Sequence, residues 1–474
     1  MKHLILVFLL ALTTSIWAET LKVGLYPYVP RVDQFKDVLE TKWAALNTGI
    51  DLEIITDSSI WDGGYDTDPT GLDVFVFDAL FLNKYRSESL LESLTSDDIN
   101  PDGLDDFLSY AIEGVKNSDN TTYAAIPLLG CTNVLFYQDG LGIEDANTFD
   151  ELGNIVKTCQ FTGLVPGQAP HNGMMLDIAG KTTNATYYVA TQFAMDGTYP
   201  FPTPTSIDSA VTDRLRTLMT MSSYPNGTTS FDVSYQRGIW FGQGYGNSFV
   251  GFTESMWGMS KGNNNTLPSN FGFKPLPLWN SGETTDPVFY ADVIGVSTAS
   301  SDITNAKKLA SLMGSKDVVV ESTTGEGQSD GVPQYLLLTL ESAFDTLATS
   351  YPIYSDMKTM ASNPNIKMFT LSDDLYTWFE NNKEQIRTDI RTGFSCGCDE
   401  KTSTYLTTAN AASVCTPLCA DLGGWNGQWT TASPYIPTGS TSVCGCKACN
   451  VPTQSTKRMT KPMRKLEGKP IGKP

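Results

Sequence analysis

The chain has 474 residues and a formal net charge of −20. That length is too great for one hydrophobic core and predicts two or three domains. A field this negative repels polyanions, which excludes nucleic acid as a partner, and draws in small cations. Two histidines in the whole chain leave no basis for a His-rich metal site, so no metal and no cofactor is expected.

The first eighteen residues, "MKHLILVFLLALTTSIWA", have a basic start, an apolar run and small residues at the end. This is the pattern of a secretory signal peptide, cleaved after Ala18. The run is too short for a comfortable membrane span, and nothing later reaches the ~18 apolar residues that a transmembrane helix needs. The expected destination is the extracellular space or the lumen of the secretory pathway. Asn120, Asn184, Asn226 and Asn264 open Asn-x-Ser/Thr triplets, in keeping with a glycoprotein.

From residue 19 to residue 393 strand-like and helix-like segments alternate, as in an α/β protein. "LKVGLYPYVP" reads as a strand running into a loop. "DQFKDVLETKWAALNTG" has helical spacing with Gly49 as a stop. "DLEIITD" and "DVFVFDALF" read as strands, and "TNAKKLASLMGS", "PQYLLLTLESAFDTLATSYP" and "DDLYTWFENNKEQIRTDIRTG" as helices. Between Thr182 and Glu283 the chain is looser, rich in Gly, Asn, Thr and aromatics. The order of pieces resembles a solute-binding protein of the periplasmic type (type II), two α/β lobes with a ligand cleft between them. The first lobe takes residues 19–133, the second lobe 134–289, and a return to the first lobe 290–393. "YAAIPLLGCTNVLFYQDG" is then the outward crossing, and "DPVFYADVIGVSTASSDITNAKKLASLM" the way back.

After Gly393 the character changes. Seven of the nine cysteines fall at 396, 398, 415, 419, 444, 446 and 449, which defines a small, separate cysteine-rich module over 394–452. Disulfides and zinc both suit spacings such as "CTPLC" and "CGCKAC", and an oxidising secretory route favours disulfides. Seven is odd. One of these cysteines is free, pairs with Cys159, or links to another chain. The tail, 453–474, has seven basic residues and one acid and is expected to be disordered.

Cys131 stands apart in an apolar, strand-like run. It is a small core residue, half of a disulfide, or a nucleophile. A nucleophilic cysteine needs a base, and outside the signal peptide the only histidine is His171, in "GQAPHNGMM". A serine hydrolase suffers the same shortage and lacks a G-x-S-x-G elbow. The base is therefore expected to be a carboxylate in apolar surroundings, where its pKa rises towards neutrality. Glu254, within "YGNSFVGFTESMWGMS", has that setting; the alternative is a paired or solvent-facing glutamate. Asp78 in "VFVFDALF" and Asp292 in "FYADVIG" also sit in apolar strands, where an acid is costly unless paired or used. They either cap neighbouring structure or bind an amine or protonated ring. Tyr26, Tyr28, Tyr65, Tyr235 and Tyr290 offer aromatic faces to a cationic ring.

"IPLLGCTNVLFY", followed by "GFTES" and then "FYAD", resembles thiaminase I (thiamine pyridinylase), a family with a solute-binding-protein fold. The resemblance runs from Leu21 to Arg391. It implies that a cysteine attacks the aminopyrimidine of thiamine, that the thiazolium leaves as neutral thiazole, and that a second base (pyridine, aniline or thiol type) takes its place. By position Cys131 would be the nucleophile and Glu254 its base. Asp78 and Asp292 would hold and protonate the aminopyrimidine. Tyr235, Tyr290, Tyr28, Tyr65 and Glu113 would line the substrate site. Phe252 stands where the family has a tyrosine, so one ligand hydrogen bond is lost or replaced. The cysteine-rich module has no counterpart in the resemblance. The rival readings are a secreted protein that captures thiamine or another small cation without turnover, and an extracellular interaction protein acting through its cysteine-rich end.

Overall fold

The computed structural model describes residues 19–61, 69–100, 103–156, 174–176, 178, 180–221, 234–244, 246–392, 398–420, 424–430 and 442–446. The leader, Tyr65, Cys159, His171, Asn226, Cys396, Cys449 and the basic tail lie outside the described residues.

The strands in chain order are β1 (Thr20–Gly24), β2 (Asp51–Ile55), β3 (Val74–Asp78), β4 (Ile126–Cys131), β5 (Val134–Gln138), β6 (Met174–Met175) and β7 (Ser248–Gly251). They continue with β8 (Phe271–Pro275), β9 (Val288–Val296), β10 (Leu337–Leu338), β11 (Lys367–Met368), β12 (Cys398–Thr402), β13 (Trp425–Thr430) and β14 (Ser442–Cys446). They form three sheets. The first lobe is built on β10-β4-β9-β3-β1-β2 with β11 beside β9, the second on β6-β7-β5-β8, and the C-terminal module on β12-β14-β13.

The first sheet is parallel through β2, β1 and β3, as expected where helices complete each crossover, while β9 lies antiparallel between β3 and β4. Its strands are apolar on both faces. Val74, Phe75, Val76 and Phe77 are all buried, because helices cover both sides. Chain passes between the lobes at residues 132–133, between β4 and β5, and again between β8 and β9. A site on β4 or β9 near these crossings faces the gap between lobes.

Three sequence expectations need correction. "PQYLLLTLESAFDTLATSYP" is not one helix. Leu337–Leu338 pairs with Leu129 and Gly130 of β4, and the helix begins only at Glu341. A run of apolar residues without helical gaps fits a buried strand as well as a helix, and here an open sheet edge decides it. The last helix of the return segment, Asp373–Arg391, does not stay with the first lobe. It packs on helices Lys181–Asp196 and Ser209–Met221 of the second, burying Phe379, Ile386 and Ile390 there. The cysteine-rich module is not detached either, since Leu406, Cys415, Cys419, Cys444 and Cys446 belong to the same buried cluster as the second-lobe core.

Within that module Cys415–Cys444 and Cys419–Cys446 are disulfides. They tie the helix Ala411–Leu418 and its C-terminal end to β14. Among the described residues no helix is long and apolar enough to cross a membrane. Asn120 and Asn264 are exposed, but Asn184 is fully buried and its amide donates to the carbonyls of Ile178 (2.9 Å) and Gly180 (2.6 Å). A glycan cannot be carried on that nitrogen in the folded protein.

Candidate active site

Strand register assembles the site. Asp78 lies opposite Asp292, and Cys131 lies opposite Tyr290. Residues directly opposed in an antiparallel pair, and residues two apart on one strand, share a face of the sheet. Tyr290 and Asp292 are two apart on β9. All four side chains therefore leave the same face near the ends of β3 and β4, with opposed Cβ atoms about 4.5–5.5 Å apart. The bulge between Pro127 and Leu129 sets this register. Without it, the alternation of β4 would turn Cys131 to the opposite face.

These side chains line a cavity of about 200 Å³ with Tyr26, Trp61, Asn133, Thr182, Thr183, Thr186, Phe252 and Ala291. The first lobe contributes the carboxylates and the Tyr26–Trp61 pair, whose rings meet edge-on at 5.3 Å. The second lobe contributes Phe252 and the threonines at the start of helix Lys181–Asp196. A larger depression of about 890 Å³ lies elsewhere, lined by Lys42, Asn100, Lys308 and Asp317 among others. The smaller cavity holds the thiol and the opposed carboxyls and is the chemical one.

Electrostatics single out the same group. Cys131 is the free thiol among the described cysteines. It keeps a narrow face to the cavity and is otherwise enclosed. Burial, followed by the charges of Asp292, Glu254 and Asp78, pushes it well above the ordinary thiol range. At rest it is a thiol and needs a base. Glu254 immediately precedes helix Ser255–Gly262, where the chain turns out of β7. Burial raises its carboxyl to about 7, against smaller opposing effects from its own backbone N–H and from the buried Arg237. A carboxyl of that pKa takes and returns a proton near neutrality.

The opposed aspartates differ from each other. Asp78 accepts the Leu80 N–H at 2.9 Å, which opposes burial, and its pKa is raised to about 6. Asp292 is raised further, by burial and then by the charges of Asp78 and Glu254. Two acids this close hold at least one proton between them near neutrality. The Tyr26 phenol lies in the field of Asp292, Cys131, Glu254 and Asp78, and burial followed by these charges raises it well above its usual range. Tyr290 is fixed by Asn133, whose Nδ2 donates to its hydroxyl at 3.3 Å while Tyr187 donates to Asn133 Oδ1 at 3.2 Å.

The sequence expectations fare unevenly. Cys131, Asp78, Asp292, Tyr290 and Phe252 meet in one cavity, and Glu254, outside its lining, is near enough for its charge to act on Cys131. Tyr28 remains at the rim, 44% exposed, donating to the Ser58 carbonyl at 3.3 Å and touching Tyr26 and Trp61 edge-on. Glu113 is not in the cleft. It is exposed on helix Ser109–Gly114 and pairs with Lys116 at 2.6 Å, because that helix turns Tyr110 towards the sheet instead. The backbone of Tyr235 is in helix Ser234–Gly242, but its side chain, like all of Tyr65, lies outside the described residues. Residues not singled out from sequence complete the wall: Trp61, Asn133, Thr182, Thr183 and Thr186, with Tyr26 at the centre where it had been one aromatic among five. Asn133 was findable, being two residues beyond Cys131. The threonines carried no signal, since the helix start that brings them in is fixed by tertiary packing.

Two α/β lobes around a cleft, with strands crossing between them, make up the periplasmic binding-protein fold. The maltose-maltodextrin binding protein of Alicyclobacillus acidocaldarius superposes with a TM-score of 0.53 at 16% identity, over 78% of this chain and 98% of that one. The model of the Thiaminase-1 domain matches residues 132–278. Thiaminase-1 of Paenibacillus thiaminolyticus is 33% identical over 77% of this chain and 87% of its own length. The Clostridium botulinum thiaminase I solved in complex with thiamin superposes with a TM-score of 0.69 at 28% identity, covering 78% of this chain and 100% of that chain. The chain belongs to the thiaminase-1 family, and it is an enzyme, a thiamine-degrading transferase. Residues 408–446 separately match the model of a Mannan-binding protein family.

Proposed function

We propose that the protein cleaves thiamine by exchanging its thiazole for another nucleophile through a covalent bond to Cys131. The observation that carries this reading is the enclosed thiol on one sheet face with Asp78 and Asp292, beside a glutamate whose pKa of about 7 suits a base. A pure binding protein needs no such pair.

The chemistry follows from charge. Thiamine brings a positive thiazolium into a cleft where three carboxyl groups, of Asp292, Glu254 and Asp78, act on Cys131. Its charge offsets theirs and lowers the cost of ionising the thiol. Glu254 takes the Sγ proton as sulfur bonds to the pyrimidine ring. The proton shared by Asp78 and Asp292 goes to a ring nitrogen and makes that carbon electrophilic. Electrons from the new adduct expel the thiazole with the pair of its C–N bond, so a cation leaves as a neutral molecule. Glu254 releases the Sγ proton to solvent once the thiazole has left, and the incoming base, an amine such as aniline, adds to the freed methylene and gives its own proton to the emptied carboxylate. The S–C bond then breaks, the ring nitrogen returns its proton to the aspartate pair, and the thiolate takes the proton held by Glu254. Tyr26, Trp61 and Tyr290 provide faces for the rings. Phe252 offers no hydroxyl, which leaves the second-lobe wall to bind through Asn133 and the threonines. The leader and the cystines support secretion.

The test is incubation of wild type and Cys131→Ser with thiamine and aniline, followed by mass spectrometry of the small molecules. A pyrimidine–aniline product from wild type alone is the expected result. Intact thiamine with wild type would reduce the protein to a carrier.

The module has a reading of its own. Its match to the Mannan-binding protein family, and half-buried Trp425 and Trp429 on β13, support binding of a mannose-rich glycan by aromatic stacking on the sugar face. Retention on immobilised mannan, lost in Trp429→Ala while thiamine cleavage persists, is expected. Passage of wild type through the column would contradict it.

A further inference from the structure

The second lobe is fastened to the first at a point away from the reacting atoms, and the fastening falls on the helix that begins beside Glu254. That helix, Ser255–Gly262, is one of a pair. Gly238 and Gly242 of helix Ser234–Gly242 lie so close to it that a Cβ on either would come within 2.1 Å of the Ser255 or Met259 carbonyl oxygen. Gly262 meets the Ile239 carbonyl in the same way. The two helices therefore move as one block, with Glu254 at one end and Lys261 at the other, about 10 Å along the axis.

Lys261 reaches out of this block to Asp330, which stands in the first-lobe segment between helix Lys316–Thr323 and β10. Asp330 is also 3.6 Å from the Arg31 guanidinium, in the turn that follows β1 and Tyr26. The side chains are 16–26% exposed, so the charges are only partly screened. Each partner is held by its own lobe. Arg31 donates from its backbone N–H to Gln334 (2.6 Å) and from Nη2 to the Val332 carbonyl (2.7 Å). Asp330 accepts from the Val332 N–H at 2.9 Å. Lys261 donates to Asn265 at 3.1 Å and lies over the Trp257 ring. Beside this bridge the Tyr335 side chain meets Ser260 of the same helix, from a backbone at φ +55° that a bulky residue seldom adopts.

We infer that the Lys261–Asp330–Arg31 bridge is a latch between the lobes that sets the distance from Glu254 to Cys131, making Lys261 and Asp330 positioning residues for the proton transfer. The inference rests on Glu254 being the base. The block carries Glu254 and the first sheet carries Cys131, so whatever fixes one lobe against the other fixes that distance. Arg31 gives the latch a second role. It lies five residues after Tyr26, so the same bridge braces the loop that places Tyr26 among the carboxyls. The groups that face Glu254 are Arg237 on the paired helix, Cys131 on β4, Asp292 on β9 and Tyr26 after β1. Releasing the latch lets water between the lobes and weakens the burial that raises the Glu254 carboxyl.

Lys261→Met tests this most cleanly, since it keeps an unbranched apolar stem over Trp257 and leaves the Arg31–Asp330 pair intact. The measurement is kcat and KM across pH 5–9 for wild type, Lys261→Met, Lys261→Arg, Asp330→Asn and Glu254→Gln, with melting temperatures alongside. We expect kcat to fall roughly ten- to a hundredfold in Lys261→Met and Asp330→Asn. The acid limb should move to lower pH, and Lys261→Arg should recover most of the rate. Unchanged kcat and an unmoved acid limb in folded Lys261→Met, with Glu254→Gln inactive, would overturn the latch. Full activity in Glu254→Gln would instead overturn the assignment of the base. A fall in melting temperature with the pH profile of wild type would make Lys261 merely structural, which also overturns it.

Discussion

The cleft and the C-terminal module use cysteine in opposite ways. In the module four sulfurs are paired as Cys415–Cys444 and Cys419–Cys446 and fully buried, in a region with few aliphatic residues. In the cleft one sulfur is kept single, among carboxyls that hold it protonated. The difference teaches that surroundings decide what a cysteine does. A small module with few apolar residues of its own adds covalent cross-links where it packs on the second-lobe core. A large α/β lobe has core to spare and tolerates acids that oppose one another at the end of its sheet. The module's cystines stabilise, whereas the cleft gives up stability in order to react.

The sharpest way to break that contrast is at Cys131. Cys131→Ser should lower kcat by on the order of 10³-fold or more with little change in melting temperature, measured by thiamine turnover and calorimetry. A comparable loss of stability would mean that Cys131 is chiefly a packing residue.

Next in size is Asp292→Asn. It removes one of two opposed acids, so kcat/KM should fall roughly 100-fold, while stability at pH 8 should rise by about 1–3 kcal/mol. Denaturant unfolding at pH 8 checks the second half. A less stable variant would show that the aspartate is structural.

The pH dependence sharpens the same point. Glu254 at about 7 and Asp78 at about 6 are raised by folding, and so is Asp292. Groups raised in the folded state bind protons more tightly there. Their contribution to stability is complete below the ordinary carboxyl range, near pH 4, and is lost as pH climbs through 6–7. Activity needs ionised Glu254. Over pH 5–8, therefore, kcat/KM should rise by about two orders of magnitude with a half-point near 7, while melting temperature declines. Parallel rise of both would contradict the assignment.

The smallest effect on catalysis is expected in the module. Its disulfides close spans of 29 and 27 residues, each worth about 3–4 kcal/mol in the chain-entropy account. Replacing Cys415 and Cys444 together by alanine should lower the melting temperature of the module and leave kcat at 25 °C within about twofold. Loss of turnover would tie the module to the cleft.

How much of this could be read from sequence depended on the range over which each feature is encoded. Cys131, Asp78, Asp292 and Tyr290 were legible because a polar or reactive residue in an apolar strand stands out, and period-two alternation places it. Glu254 was legible through the shortage of histidine. Glu113 was misread because its helix is one turn and a half long and its facing cannot be fixed from six residues. Trp61 and the Thr182–Thr186 turn come to the cavity from two distant segments, and Lys261 meets Asp330 across 69 residues. Such meetings are products of lobe packing and leave no local pattern. The helix Asp373–Arg391 shows the same limit. Its apolar stripe was visible, but the lobe that receives it was not.

The most direct test of covalent catalysis at Cys131 is the mass of the protein itself. Wild type is mixed with thiamine without added acceptor, quenched in acid within the first turnover, digested and mapped. The account predicts the pyrimidinylmethyl mass on the peptide carrying Cys131 in wild type, its absence in Cys131→Ser, and its disappearance when aniline is supplied before the quench. Turnover in wild type with Cys131 unmodified at every time point would contradict it.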